Sequence, residues 1–230
     1  MNRREPATSE SDAHTGNRLI LTKTDELKEI PMEWRVYGNL QIKKRNSGVE
    51  RWVKERVGEI KAKCNESPWK TSEVLKGYIA LHDRFSMEKG IPSSCEVLTD
   101  LILKNGSVPH INTFVDIYNV ISVLTGVSIG AHDTRNISGN ARLLKIKKDT
   151  AFKPIGGRGE GMAKRGEFAY VDDAGVMCRM DVKQCNRTKI TDKTRNVLVI
   201  FQGHAGIGEN ALHDSILQLE EALRQFQILE

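Results

Sequence analysis

The sequence predicts an α+β fold, with a mixed central sheet and helices packed on it. Three observations carry that prediction. Between residues 47 and 125 apolar side chains recur at helical spacing, bounded by capping and stop residues. Between 143 and 203 short β-branched and aromatic runs alternate with turns. The chain then closes on one more amphipathic helix. At 230 residues it is long enough for one sizeable core.

Taken in order, residues 1–17 (MNRREPATSESDAHTGN) are polar and charged, with almost no large apolar side chain, and predict a disordered tail. From 18 to 230 no linker or internal repeat interrupts the pattern, so a single folded domain is expected. RLILT (18–22) and WRVYGNLQI (34–42) have strand character. Residues 47–64 predict a helix whose apolar face is Val49, Trp52, Val53, Val57 and Ile60. Thr71 to Lys89 reads as a second helix, stopped by Gly90. Ser93 and Glu96 form a capping box for a third, which ends near Asn105-Gly106. Residues 112–125 form a fourth, stopped by Gly126. LLKIK (143–147), EFAYV (167–171), GVMCRM (175–180) and NVLVIFQG (196–203) read as strands, with a hairpin turn at Asp172-Asp173-Ala174-Gly175. Leu212, Ile216, Leu219, Leu223 and Phe226 align along one face of a last helix, 209–229.

Bulk properties exclude several classes. No apolar run approaches the roughly 18 residues a membrane span requires, and the N-terminus lacks the apolar core and cleavage site of a secretory signal. The four cysteines (64, 95, 178, 185) contain no CxxC pair. Reduced thiols in a cytoplasmic protein are therefore expected, although Cys178 and Cys185 could meet across two strands. No histidine–cysteine–carboxylate set has metal-ligand spacing, so neither a metal nor another cofactor is expected. No Gly-x-Ser-x-Gly elbow, Walker loop or dinucleotide fingerprint is present. Net charge is +5, but it is unevenly spread. Residues 136–200 carry fourteen Lys and Arg against seven Asp and Glu, while 201–230 carry one against five. The basic middle favours a polyanion such as RNA; a solvated lysine-rich sheet surface fits the charge equally well.

The 112–125 helix carries the first candidate site. Asn112, Asp116 and Asn119 fall within roughly 60° of one another on a helical wheel. Phe114, Ile117, Tyr118, Ile121 and Leu124 lie opposite. Such a stripe fits a solvent-facing side. Short Asn and Asp are poor helix formers, however, and a carboxylate between two amides can hold an ammonium and orient a carbonyl or water. His132 and Asp133 follow in a turn-like GAHDTRN. GGRGEG (156–161), among Lys153, Arg158, Lys164 and Arg165, can close on a phosphate backbone or be an ordinary mobile loop. Asn186, Arg187 and Thr188 precede the last strand; Arg187 can pair with Asp116, Asp133 or a phosphate.

These pieces resemble a known family. INTFVDIYNVISVLTGVSIGAHD is similar to a stretch of the bacterial phenylalanyl-tRNA synthetase β subunit running N-x-V-V-D-x-T-N and then G-x-P-x-H-A-F-D. GEFAYVDDAGVMCRMD resembles its acidic turn and following Cys-Arg strand, and ITDKTRNVLVI its N-D-E-T-x-N-V. Together they cover about residues 90–202. The module in question is the synthetase's B-three/B-four editing domain, and this chain resembles a free-standing member of that family. The resemblance implies hydrolysis of mischarged aminoacyl-tRNA in trans. Asp116 would counter the α-ammonium or brace the pocket, Asn112 and Asn119 would fix carbonyl or ribose groups, and His132 would orient water or the terminal ribose. Asp133, Asn186, Arg187 and Thr188 would complete substrate binding. Lys153, Arg158, Lys164 and Arg165 would hold the tRNA acceptor end, with no role for DNA or a membrane and no oligomeric state implied. The family's tyrosine-selecting glutamate has no counterpart near Asn186, which points to a misacylated amino acid other than tyrosine. A non-catalytic RNA- or amino-acid-binding module on the same fold, and a small-molecule hydrolase unrelated to tRNA, are the alternatives.

Overall fold

The computed structural model describes residues 19–157 and 159–230, without the side chain of residue 209. The expected tail at 1–17 and the nominated Arg158 lie outside the described residues. The elements run β1 (Leu21–Lys23), β2 (Met32–Tyr37), α1 (Ser47–Glu66), α2 (Glu73–Arg84), α3 (Ser94–Asn105), α4 (Thr113–Thr125), β3 (Ser128–Asp133), β4 (Ala141–Lys145), β5 (Thr150–Phe152), β6 (Gly161–Ala163), β7 (Phe168–Asp172), β8 (Gly175–Arg179), β9 (Lys183–Gln184), β10 (Val197–Gln202) and α5 (Glu209–Gln225). The class is α+β, and the helices fall close to where sequence places them. The strands divide among three sheets. A five-stranded mixed sheet has the order β1-β4-β7-β8-β9, with β1 and β4 parallel. A three-stranded antiparallel sheet has the order β2-β10-β3, and β5 and β6 form a separate hairpin.

The layering follows from β10. All six of its residues are buried, as a strand covered on both faces requires. Because side chains alternate, Val197, Val199 and Phe201 enter one core with Ile117, Ile121 and Leu219 of the α4–α5 layer. Leu198 and Ile200 enter a second core with Leu143, Tyr170 and Met177 of the five-stranded sheet. The three-stranded sheet therefore lies between helices and a second sheet. The same alternation divides β3: Ile129 and Ala131 join the helical core, while Ser128, Gly130 and His132 turn toward the gap between the sheets.

Helix ends are built from local signals. Ser93 accepts from the Glu96 amide at 3.2 Å, and Gly106 and Gly126 close α3 and α4 in left-handed conformations at φ 70° and 74°. Two sequence expectations change here. GAHD is a strand, so His132 sits in a sheet and not in a loop. The α4 stripe does not face solvent: Asn112 and Asp116 are buried and Asn119 is half-buried, because α4 is enclosed by α1, α3, α5 and the sheet. All four cysteines are free.

Candidate functional site

A cavity of about 310 Å³ opens between the two sheets, with α3 and α4 closing its side. Ser128, Gly130 and His132 line one wall. At about 3.4 Å per residue they give β3 a polar end, a bare centre and an imidazole end spread over roughly 13 Å. Gly130 leaves its position open: a Cβ there would meet nothing within 4 Å. Asn119 and Tyr118 enter from α4, Ser94 from the start of α3, Gln202 and Ile200 from β10, and Tyr170, Cys178, Asp181 and Gln184 from the five-stranded sheet and its β8–β9 turn.

His132 is buried, and its state follows from its neighbours. The Gln184 amide nitrogen donates to the Ala131 carbonyl at 2.8 Å and lies 3.2 Å from His132 Nδ1. Thr188 Oγ1 is 2.7 Å from the same ring nitrogen. The Gln184 amide nitrogen and the Thr188 hydroxyl are both placed to donate to Nδ1, an arrangement that suits the tautomer with its proton on Nε2. Burial first, and the positive charge of Arg187 second, pull the ring down to about 4, which keeps it neutral. Nε2 has no side-chain or backbone partner among the described residues, and the ring lines the cavity; its N–H is a donor awaiting an acceptor.

The other end of the trough has two atoms with unused hydrogen-bonding capacity. Asp181 is buried, with Oδ1 2.8 Å from His82 Nε2 and Oδ2 without a partner. The Tyr170 hydroxyl donates to Gln202 Oε1 at 2.6 Å, leaving the Gln202 Nε2 donor equally unmatched. Ser94 and Ser128 hydroxyls pair at 2.8 Å beside them. Cys178 is no nucleophile here: burial and the Asp181 charge hold its thiol well above its ordinary range. Among the described residues no group of histidine, cysteine and carboxylate side chains could hold a metal ion.

The nominated residues separate into two sets. His132, Asn119 and Thr188 come together, the last by touching His132. Asn112 is the N-cap of α4, accepting from the Val115 amide at 3.0 Å. Asp116 closes the same cap, with Oδ1 2.8 Å from the Ile111 amide and Oδ2 2.5 Å from His110 Nδ1. It is not among the cavity-lining residues, and each of its oxygens already accepts a hydrogen bond. Asp133 points to the opposite face of β3 from His132 and binds Arg135 at 2.9 Å and the Thr194 hydroxyl at 2.7 Å. Arg187 pairs with neither Asp116 nor Asp133. It grips Asp172 through two bonds of 2.7 and 2.8 Å, and that guanidinium overrides burial to hold the Asp172 carboxyl below its usual range. Asn186 serves through its backbone, its amide donating to the Lys153 carbonyl at 2.7 Å. Lys153, Lys164 and Arg165 are exposed on the β5–β6 hairpin. That hairpin abuts the cavity wall where the Ile155 amide meets the Gln184 carbonyl at 3.0 Å.

Sequence reading missed Asp181, Gln202 and His82. Gln202 had a usable signal, as the one polar side chain in the apolar run VLVIFQ. A larger hollow of about 550 Å³ lies elsewhere, between α2 and the 204–207 loop. Its rim carries the ion pairs Arg84–Glu29 and Lys76–Glu73, and none of the nominated residues reaches it.

Comparison with known proteins adds a family. The model of the B3/4 domain matches residues 85–213, more than half of the chain. That segment contains α3, α4, both sheets' cavity walls and every cavity residue named above. An N-terminal fragment of the phenylalanyl-tRNA synthetase beta-subunit from Pyrococcus horikoshii is similar at 12% identity over 92% of this chain, with a TM-score of 0.44. This chain spans about half of that fragment's length (51%). No curated protein matches. Among the described residues no helix is long and apolar enough to cross a membrane.

Proposed function

The chain belongs to the B3/4 domain family, and from that premise we propose that it is a trans-acting deacylase of mischarged aminoacyl-tRNA. The observation that carries the reading is the neutral His132, which lines the cavity with Nδ1 held by Gln184 and Thr188 and Nε2 left without a partner among the described residues. An ester carbonyl seated against that N–H receives a donor where negative charge develops when water adds. The tetrahedral intermediate then expels the ribose oxygen, which takes up a proton, leaving free amino acid and uncharged tRNA. An aminoacyl ester is already activated, so positioning a water and one aimed donor suffices without a covalent nucleophile. The substrate's own vicinal hydroxyl supplies the relay for the water proton. Asn119 at the cavity side fixes the ribose or the carbonyl. Lys153, Lys164 and Arg165, on the hairpin beside the wall, take the acceptor-stem phosphates, an interaction that weakens steeply with salt.

The test is deacylation of tRNAs charged with wrong amino acids (serine, threonine, alanine, valine, tyrosine), by the unmodified protein and by His132→Ala. Turnover of one or more, reduced roughly 100- to 1,000-fold in the variant, supports the reading. Binding of tRNA without turnover anywhere in the panel contradicts it and leaves a binding module. Ester turnover indifferent to the tRNA contradicts it in favour of a small-molecule hydrolase.

A further inference from the structure

The three-stranded sheet ends on β2, and the hydrogen-bonding phase of its free side is fixed. The Gly203 amide donates to the Pro31 carbonyl at 2.9 Å, so residues 31 and 203 form a bonded pair. Bonded and non-bonded pairs alternate along an antiparallel ladder. The register of β2 on β10 runs unbroken from Met32–Gln202 to Tyr37–Val197, so Glu33, Arg35 and Tyr37 bond to β10. The amides and carbonyls of Met32, Trp34 and Val36 therefore point outward. On the opposite edge, β3, outward groups are covered: the Asp133 amide by the Thr188 carbonyl at 2.9 Å and the Ala131 carbonyl by the Gln184 side-chain amide at 2.8 Å. On β2 the Trp34 carbonyl accepts from the Arg35 guanidinium at 2.8 Å, and the three outward amides have no partner among the described residues. Neither a proline nor a bulge blunts this edge.

The side chains of this edge are complementary to themselves. Met32, Glu33, Trp34, Arg35 and Val36 run apolar, acid, aromatic, base, apolar about Trp34. Two antiparallel copies related by a twofold axis must match outward residue to outward residue. An axis at Glu33 or Arg35 sets like charges opposite each other, and one at Met32 or Val36 leaves most of the strand unpaired. An axis at Trp34 sets Glu33 of each copy opposite Arg35 of the other, and Met32 opposite Val36. Within one chain Glu33 and Arg35 pair at 3.0 Å, an ion pair that the second copy would extend across the seam. Exposed apolar side chains flank the edge on both faces. Val36 is 47% exposed and Leu217 51%. The Tyr37 hydroxyl donates to Glu220 at 3.0 Å, which sets that side of α5 beside β2, and Leu217 lies one helical turn before Glu220. We infer that a second copy of this chain docks along β2 and joins the two three-stranded sheets into one across a twofold axis at Trp34. No β2 residue lines the cavity between the sheets, so the inference stands apart from the deacylase reading.

The experiment is sedimentation equilibrium of the full chain in low salt, where surface charges are least screened. The unmodified protein is expected to dimerise. Arg35→Glu alone sets acid opposite acid at both crossings, and Glu33→Arg alone sets base opposite base. Each is expected to raise the dimer Kd roughly 10-fold or more. Mixing the two variants in equal amounts restores opposite charges at both crossings, so a heterodimer tighter than either variant's homodimer is expected. Both side chains are partly exposed, which favours folding of the variants, and urea unfolding checks it. The unmodified protein decides the first point whatever the variants do: a monomer at all concentrations up to roughly 100 μM overturns the inference and leaves the edge to a different strand. A dimer whose Kd neither reversal raises, or reversals that weaken it with no recovery on mixing, overturns it as well, because the copies would then meet elsewhere or in another register.

Discussion

Asp116 and Asp181 are both buried aspartates beside a histidine, and the two regions that hold them use them differently. At the N-terminus of α4 both oxygens of Asp116 are taken, one by the Ile111 amide and one by His110. At the inner end of the trough Asp181 gives one oxygen to His82 and keeps the other unmatched. The same contrast separates other pairs. Asp133 and Asp172 are saturated by Arg135, Thr194 and Arg187, while Gln202 is not. Residue type and burial are alike in the two regions. What differs is unused hydrogen-bonding capacity on residues that line a cavity.

The largest effect comes from making a saturated acid resemble an unsaturated one. In Arg187→Ala the buried Asp172 loses its bidentate partner with no cavity ligand to replace it. The variant is expected to lose roughly 3 kcal/mol of stability, the lower end for a broken buried pair because Arg187 is partly exposed and the Ser138 and Ala174 amides still donate to Asp172, read as a lower midpoint in urea unfolding. An unchanged midpoint would mean that saturation of Asp172 carries no structural load.

Two of the buried histidines, His132 and His82, sharpen the contrast through pH. His132 is held down at about 4 in the folded protein, against an ordinary value near 6.5 when unfolded. Between those values the unfolded chain binds the extra proton. His132 therefore contributes stability fully above about pH 6.5, and that contribution is lost as pH falls through about 4, on the order of 3 kcal/mol in all. His82 is raised, so its sign is opposite: its contribution is present below the unfolded value and fades as pH rises through the folded one. In His132→Gln the decline between pH 6.5 and 4 should flatten, measured by unfolding at stepped pH against the unmodified protein. An identical decline in both proteins would rule out a neutral buried His132.

A smaller effect marks the cap. Asn112→Ala removes the acceptor for the Val115 amide and should cost about 1 kcal/mol. Deacylation per folded molecule should stay unchanged, since Asn112 does not line the cavity. A loss of turnover beyond the loss of folded protein would return Asn112 to the site.

The α4 stripe shows how far the sequence could be read. Asn112, Asp116 and Asn119 do share a helix face, as the 3.6-residue period requires, but that period cannot tell capping from ligand binding. An N-cap residue and the carboxylate four positions on both turn back over the helix start. Only Asn119, further along, looks into the cavity. Strand β3 was hidden for a physical reason. A wall of a cavity needs small and polar residues, so Ser128, Gly130 and His132 replace the β-branched side chains that announce a strand. Helix ends were legible because Ser93, Gly106 and Gly126 act locally. The Asp181–His82 pair joins residues 99 positions apart, and no local pattern encodes it. The division of the strands into two stacked sheets is hidden in the same way, since it depends on which strand β10 pairs with on each side.

The most direct measurement fills the bare centre of the trough. Gly130 has room for a Cβ, with nothing within 4 Å, and lies between the Ser128 and His132 positions on one face of β3. Valine there suits a strand and should leave the unfolding midpoint unchanged or slightly higher. The account predicts that Gly130→Val lowers deacylation of the preferred mischarged tRNA by roughly 100-fold or more while the protein remains folded. Undiminished hydrolysis by a folded Gly130→Val protein would contradict it, because the ester could then not be seated along β3.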